Sequence, residues 1–205
     1  MPESAEEIYA RVVAAVDAGG RLPMPPVDEW DIFPWEVVDG RLAPRVVEPP
    51  LAAEEPRRGV DGVDCVPCAG EGDAVRIWEN DRWKLVHPPR PGGLPLVLWL
   101  MSKEHMDYAD MSDELAAEYG RLSVWLCRII ERMEHVGRVH VCRYGDGSEH
   151  LHVWFFARPA RLPHLLGSLV IEWNEMLPPV PEDVWRDDLR YVATRLAHHD
   201  GWSLV

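Results

Sequence analysis

The sequence contains no apolar run that approaches the length of a membrane-spanning helix, which needs about 20 residues. Its N-terminus is acidic and lacks the apolar core of a signal peptide, so we expect a cytoplasmic protein. Basic residues are outnumbered, since 21 Lys and Arg stand against 35 Asp and Glu, for a formal net charge of -14. This charge argues against broad binding to nucleic acid or to an anionic membrane, because both need a basic patch.

Cysteine is also scarce, because four cysteines in 205 residues are too few for a disulfide scaffold. Two of them form a Cys-x-x-Cys pair, Cys65 and Cys68, whose sulfur atoms can reach one metal ion. Three interpretations of this pair remain open: a zinc site, a redox motif and an incidental spacing. Zinc is favoured, because a redox motif of the thioredoxin type opens a helix and the residues after Cys68 lack that continuation. We expect Cys127 and Cys142 to be structural.

What the sequence does contain is a run of β-branched and aromatic residues at 150–156, preceded by a glycine-rich loop at 145–148. Strand side chains alternate between faces, so His150, His152 and Trp154 are predicted to share one face. Two imidazoles on one face suit metal binding or nucleophilic chemistry. The alternative is a half-exposed edge strand whose histidines have no role. The glycines allow close approach of a ligand and offer amide groups to an anion.

Apolar spacing and capping residues predict helices on both sides of this strand. They span Ser4 to about residue 18, Ser112 to about residue 135, Pro163 to Met176 and Pro181 to His198. Alternation and turn residues predict a hairpin with an Asp-Gly turn and further strands. The hairpin covers 37–42, and the strands cover 74–78, 83–87, 94–100, 139–142 and 150–156.

These elements suggest three parts. Residues 1–63 form an N-terminal extension with a helix, a Pro- and Trp-rich arm over 21–35, the hairpin, and a linker or exposed loop over 48–62. Residues 64–159 form the compact body. Residues 160–205 form a helical extension that is predicted to pack on this body.

The order of these parts resembles the histidine triad superfamily. Along residues 64–159, a Cys-x-x-Cys pair is followed by a strand turn reading Ile-Trp-Glu-Asn-Asp and a Pro- and Gly-rich loop. An apolar strand leading to His105, a long helix and the run Gly145-x4-His150-Leu-His152 then follow. The resemblance implies an α+β fold with a central antiparallel sheet and flanking helices, extended here by the arm and the C-terminal helices. It also implies a homodimer.

The resemblance assigns roles to particular residues. The middle histidine of that superfamily's motif attacks an α-phosphate and becomes a covalent nucleotidyl-histidine, which implies this role for His152. In zinc-containing members, and in the similar galactose-1-phosphate uridylyltransferases, a structural zinc is held at positions that match Cys65, Cys68, His105 and His150. The implied ligand is a small-molecule nucleotide or nucleotide conjugate.

The sequence departs from the pattern at Trp154, which stands in place of the third histidine and is assigned to the catalytic site. The uridylyltransferase branch has glutamine there, so the change does not by itself imply loss of chemistry. An indole N–H can donate a hydrogen bond to phosphate but cannot accept or shuttle a proton. Contacts to phosphate are expected from Gly145, Gly147, Ser148 and Arg143, although a surface ion pair is an equally plausible role for Arg143.

Two functions therefore follow from the sequence. The first is a zinc-stabilised nucleotidyl transferase or hydrolase that acts on a nucleoside phosphoanhydride or phosphoramidate through His152. The second is a catalytically silent nucleotide-binding or interaction protein in which Trp154 blocks or disables the site.

Overall fold

The computed structural model describes residues 3–24, 32–70, 72 and 74–205. Its α-helices are α1 (Ala5–Ala15), α2 (Val66–Ala69), α3 (Asp113–Ile130), α4 (Trp173–Met176) and α5 (Glu182–Ala197). Its strands are β1 (Trp35–Val38), β2 (Arg41–Pro44), β3 (Val75–Glu79), β4 (Trp83–His87), β5 (Leu96–Ser102), β6 (Val136–Cys142), β7 (His152–Pro159) and β8 (Trp202–Ser203). None of the described helices is both long and apolar enough to cross a membrane.

Local sequence signals account for where several elements begin. The Ser4 hydroxyl accepts a hydrogen bond from the Glu7 amide while the Glu7 carboxylate accepts from the Ser4 amide, the capping box predicted for α1. Ser112 caps α3 in a similar way through the Leu115 amide. The β1–β2 hairpin turns at Asp39 and Gly40 with φ of 51° and 73°, as an Asp-Gly turn requires.

The central sheet has the strand order β6-β7-β5-β4-β3-β8, and all its neighbouring strands run antiparallel. This arrangement confirms the predicted α+β fold with a central antiparallel sheet and flanking helices. The register places Met101 of β5 opposite His152 of β7, and Trp99 opposite Trp154. Because side chains alternate along a strand, these four residues lie on one face of the sheet.

The other face carries the main hydrophobic core, between the sheet and helices α3 and α5. Its fully buried members include Leu85, Leu98, Leu100, Leu122, Leu126, Phe155, Val192 and Leu196. Burial of one such side chain contributes roughly 1.5–3 kcal/mol. Helix α5 belongs to this core, so part of the C-terminal region packs on the sheet directly.

A smaller core covers part of the face that carries His152. Val97 and Phe156 of the sheet pack there against Leu165, Val170 and Leu177 from the chain that follows β7. This second core closes one end of the face and leaves the end near His152 open.

Two predictions about helices are wrong in part. The predicted helix from Pro163 to Met176 is reduced to a 3-10 turn and the single turn of α4, because Gly167 takes a left-handed conformation with φ of 67°. The predicted helix to residue 135 ends at Ile130. Of the arm over 21–35, residues 25–31 lie outside the described residues.

The predicted strand at 150–156 starts at His152 and continues to Pro159. His150 therefore precedes the strand, and the prediction that it shares a strand face with His152 is wrong. The chain bends there because the Leu151 amide donates to the Met106 carbonyl, outside the β5–β7 ladder, at 2.8 Å. The predicted exposed loop over 48–62 is exposed up to Pro56, but the residues that follow contact the glycine loop.

Candidate metal centre and adjoining cavity

Four side chains that the resemblance implies as metal ligands lie together beside the sheet: Cys65, Cys68, His105 and His150. Their ligand atoms all lie within 4.8 Å of one another. The sulfur atoms of both cysteines are 3.4 Å from Nδ1 of His150, and Cys68 Sγ is 3.6 Å from Nδ1 of His105. Tetrahedral zinc, with Zn–S near 2.3 Å and Zn–N near 2.1 Å, separates sulfur and nitrogen ligands by about 3.6 Å. The cluster therefore has the size and donor set of a zinc site.

Three separate parts of the chain bring the four ligands together. Cys65 caps the single turn of α2 and Cys68 lies within that turn, so the pair is held on one short loop. Gly70 ends the turn with φ of 70°, a conformation that suits glycine. Of the other two ligands, His105 follows β5 and His150 precedes β7. Because β5 and β7 are neighbours in the sheet, these two histidines lie close together.

The protonation state of His150 is set by its surroundings. Its Nε2 lies 2.9 Å from the carbonyl oxygen of Ser102, which can only accept, so Nε2 carries the proton and Nδ1 keeps its lone pair towards the two sulfur atoms. Only 1% of the residue is exposed, and this burial lowers the pKa of His150. A neutral imidazole with a fixed tautomer is the form that binds a metal ion.

The second histidine of the cluster is supported by a carboxylate. Nε2 of His105 lies 3.4 Å from Oε1 of Glu149, which also accepts from the Asp61 amide at 3.0 Å. The other oxygen of Glu149 accepts from Arg57 at 3.2 Å, and Arg57 donates to Asp107 at 2.7 Å. Such outer contacts orient a histidine and raise its basicity as a ligand.

Asp107 is the centre of the ion pairs around this support. Burial alone raises the pKa of Asp107, but hydrogen bonds from Arg57, the Tyr108 amide and Arg143 outweigh it and lower the pKa to about 2. Asp107 is therefore ionised at neutral pH. Through its ion pairs with Arg57 and Arg143, Asp107 links the segment before the cysteine pair to the residue that follows β6.

A cavity of about 290 Å³ adjoins the cluster, and Cys65 belongs to both. Three of the predicted catalytic and substrate-binding residues also line it: Ser148, His152 and Trp154. The lining also includes residues that sequence reasoning missed, among them Trp99 and Arg58. The sequence did not identify Trp99 as a cavity residue, because its position beside Trp154 depends on the β5–β7 register. It did not identify Arg58, because the segment around Arg58 contains no motif.

His152 is held in one tautomer. Its Nδ1 lies 2.8 Å from the carbonyl oxygen of His150, so Nδ1 carries the proton and donates to that oxygen. The lone pair is then on Nε2, and the half-buried ring lines the cavity. A neutral imidazole in this state is a usable nucleophile near pH 7.

Trp154 packs within an aromatic cluster at the cavity. Its ring centroid is 4.8 Å from that of Trp99 in an edge-to-face arrangement, 5.3 Å from Phe156 in a stacked one, and 6.3 Å from His152. Among the described residues, neither Trp99 nor Trp154 has an acceptor for its buried indole N–H. Each buried N–H group without an acceptor costs stability.

The remaining predicted residues are not among the described residues that line the cavity. Arg143 pairs with Asp107 and stacks over the Tyr108 ring. A Cβ atom at Gly145 would lie 2.7 Å from the Arg143 guanidinium, which would have to shift. The Gly147 carbonyl accepts from the main-chain amide of Arg58 at 3.2 Å.

No protein-family model and no curated protein matches the sequence. Solved structures do match. A zinc-bound histidine triad family protein from Mycobacterium smegmatis is 20% identical, with 67% of this chain and 96% of that one covered, at a TM-score of 0.45.

Two further matches are a histidine triad protein from Marinobacter aquaeolei and a hypothetical histidine triad nucleotide-binding protein from Sulfolobus tokodaii. The first is 15% identical, with 64% of this chain and 93% of that one covered, at a TM-score of 0.49. The second is 13% identical, with 65% and 93% covered, at a TM-score of 0.47. All three of these solved structures are described as histidine triad proteins.

Proposed function

We propose that this protein is a histidine-triad-like nucleotidyl transferase or hydrolase that acts on a nucleoside phosphoanhydride or phosphoramidate through His152. The observation that carries the proposal is the hydrogen bond from Nδ1 of His152 to the His150 carbonyl. It leaves the Nε2 lone pair free in a cavity large enough for a small ligand. This is the geometry that a histidine nucleophile needs.

In the proposed reaction, Nε2 of His152 attacks the α-phosphate of the substrate. A nitrogen–phosphorus bond forms while the bond from phosphorus to the leaving group breaks, and the leaving group departs with the electron pair. The positive charge that develops on the imidazole is stabilised by the His150 carbonyl, which accepts from Nδ1. Water, or an acceptor hydroxyl, then attacks phosphorus and releases His152. Of the phosphate contacts expected from the sequence, Ser148 lines the cavity and is proposed for these steps, whereas Gly145, Gly147 and Arg143 are not among the described residues that line it.

We also propose that Cys65, Cys68, His105 and His150 hold a structural zinc ion. The sulfur–nitrogen distances and the fixed tautomer of His150 support it. Four protein ligands form a closed site, in which the ion supplies folding energy rather than a reactive position. Because the carbonyl of His150 also orients His152, the metal ligands indirectly fix the nucleophile.

Trp154 sets the range of substrates that this mechanism allows. Its indole N–H can donate a hydrogen bond but does not transfer its proton, so it cannot protonate a poorly stabilised leaving group. We therefore expect transfer or cleavage where the leaving group is already acidic, such as phosphate. Hydrolysis of phosphoramidates, whose amine must be protonated as it leaves, is expected to be slow.

A second candidate function is a nucleotide-binding protein without turnover. The aromatic cluster favours it, since Trp154 is stacked on Phe156 and held against Trp99 at the position where a third histidine is otherwise expected. In that case the cavity retains nucleotides while His152 does not react with them.

Measuring nucleotide cleavage and nucleotide binding by wild type, Trp154→His and His152→Ala distinguishes the two candidate functions. The enzyme proposal predicts cleavage of nucleoside diphosphate derivatives by wild type, faster phosphoramidate hydrolysis by Trp154→His, and neither by His152→Ala. Nucleotide binding without cleavage in all three variants supports the silent protein. If calorimetry also detects no nucleotide binding, both candidates are wrong.

The resemblance further implies a homodimer that takes a nucleotide or nucleotide conjugate, and we propose both. Light scattering of the untagged protein tests the dimer. A monomeric mass rejects the dimer and leaves the fold and the site untouched.

A further inference from the structure

Three arginines lie around the glycine loop, and two of them are engaged within the protein. Arg57 pairs with Asp107 and Glu149, and Arg143 pairs with Asp107. Arg58 differs, because it forms no ion pair with any carboxylate of the described residues at a distance of 4.0 Å or less. Its charge is therefore available at the surface of the cavity.

The main chain of Arg58 is fixed on both sides by the glycine loop. Its amide donates to the Gly147 carbonyl at 3.2 Å, and its carbonyl accepts from the Glu149 amide at 3.0 Å. These two bonds form a short parallel bridge in which Arg58 lies beside Ser148. The position of the side chain is therefore set by the same loop that leads to His152.

The side chain of Arg58 lines the cavity together with Ser148 and His152. Within the protein, the guanidinium has one weak contact, from Nε to the Gly147 carbonyl at 3.5 Å. Asp64 also lines the cavity, but it lies beyond ion-pairing distance of Arg58. Apart from His152, Arg58 is the one basic side chain among the described residues of the lining.

We infer that Arg58 binds the phosphate group that His152 attacks, so that the cavity selects ligands by their negative charge. This inference rests on the proposed function. A guanidinium matches two phosphate oxygens with parallel hydrogen bonds and keeps its charge at every relevant pH. In a protein with a net charge of -14, it also supplies a local positive potential where an anion must enter.

Affinities of matched ligands test this role directly. We suggest calorimetry with the 5′-monophosphates of adenosine, guanosine, cytidine and uridine, each compared with its nucleoside, on wild type, Arg58→Gln and Arg58→Lys. Arg90→Gln is the matched control, since it removes the same charge from the exposed β4–β5 loop at the other end of these strands. Zinc content and the thermal midpoint of each variant report on folding.

Arg58→Gln is expected to weaken binding of the preferred monophosphate by about 10- to 100-fold, the loss typical of a charged hydrogen-bonding partner. Binding of the nucleoside should not change, Arg58→Lys should recover part of the loss, and Arg90→Gln should match wild type. The inference is overturned if Arg58→Gln binds monophosphates like Arg90→Gln, if it weakens the nucleoside equally, or if wild type binds no monophosphate.

Intact mass after mixing with nucleoside 5′-diphosphate derivatives, whose phosphate leaving group is acidic, separates this inference from the proposed function. If wild type and Arg58→Gln form a nucleotidyl adduct at equal rates, the transferase proposal holds and the role of Arg58 is wrong. If wild type forms no adduct while monophosphate binding still depends on Arg58, the anion site holds and the transferase proposal is wrong.

Discussion

The metal-ligand cluster and the cavity beside it differ in how completely their polar groups are paired. In the cluster, Cys65, Cys68, His105 and His150 face one another, and both histidines have a second partner on the outer ring nitrogen. In the cavity, His152 and Arg58 line space that the described residues do not fill, and the buried indole N–H groups of Trp99 and Trp154 have no acceptor among the described residues. A closed set of donors holds a structure, whereas an open set is arranged for a ligand.

One residue joins the two regions. His150 gives its side chain to the cluster and its main-chain carbonyl to Nδ1 of His152. His152, the proposed nucleophile, is therefore oriented by a residue that belongs to the proposed metal site. Breaking the cluster should remove reactivity, and breaking the nucleophile should leave the cluster intact.

The largest effect is expected from removing the two thiols together. Cys65→Ser/Cys68→Ser should lose the bound zinc and, with it, folding free energy on the order of 10 kcal/mol. This equals the whole stability of a typical domain, so we expect an unfolded or partly folded chain. Elemental analysis and circular dichroism measure both losses.

Cys142→Ser is the control, because it removes a thiol from β6 outside the cluster. It should keep one zinc ion per chain. Unchanged zinc content in the double variant would contradict the assignment of the ligands.

A smaller effect is expected at the ion pairs that hold the segment before the cysteines. Asp107→Asn removes the charge that Arg57 and Arg143 share, and should lower the free energy of unfolding by about 1.5–3 kcal/mol. Urea denaturation at pH 7 with saturating zinc measures the change. Asp187→Asn breaks an exposed pair with Arg190 and should cost less than about 1 kcal/mol. Equal costs would show that the Asp107 network does not stabilise the fold.

Of the three substitutions compared, replacement of Glu149, whose carboxylate contacts His105, should have the smallest effect. Glu149→Gln keeps the size of the side chain and removes its charge, so we expect zinc affinity to fall by about 10- to 100-fold. Competition with a chelator measures this affinity. Glu114→Gln removes the same charge from the exposed start of α3 and should bind zinc like wild type. A Glu149→Gln variant with wild-type affinity would remove Glu149 from the site.

The sequence predicted those features that short spacings determine. The Cys-x-x-Cys spacing identified two of the four residues whose ligand atoms the structure brings within 4.8 Å, and the family resemblance supplied His105 and His150. Caps at Ser4 and Ser112, and the Asp-Gly turn, located two helices and a hairpin, since each depends on a few neighbouring residues.

Features that depend on contacts between distant parts of the chain were not predicted from the sequence. Arg58 reaches the cavity through hydrogen bonds to residues about 90 positions later, and Trp99 meets Trp154 through strand register. The region of Pro163 to Met176 is apolar enough for a helix, but its apolar residues pack as irregular turns around Gly167. Tertiary packing overrides local preference there.

The most direct test of the account is native mass spectrometry of wild type and His152→Ala, mixed rapidly with nucleoside 5′-diphosphate derivatives, whose phosphate leaving group is acidic. We predict that both proteins carry one zinc ion per chain, and that only wild type gains the mass of one nucleotidyl group. This result would show that one region holds the fold while the other reacts. Loss of zinc from His152→Ala, an adduct that persists in that variant, or the absence of any adduct on wild type would contradict the account.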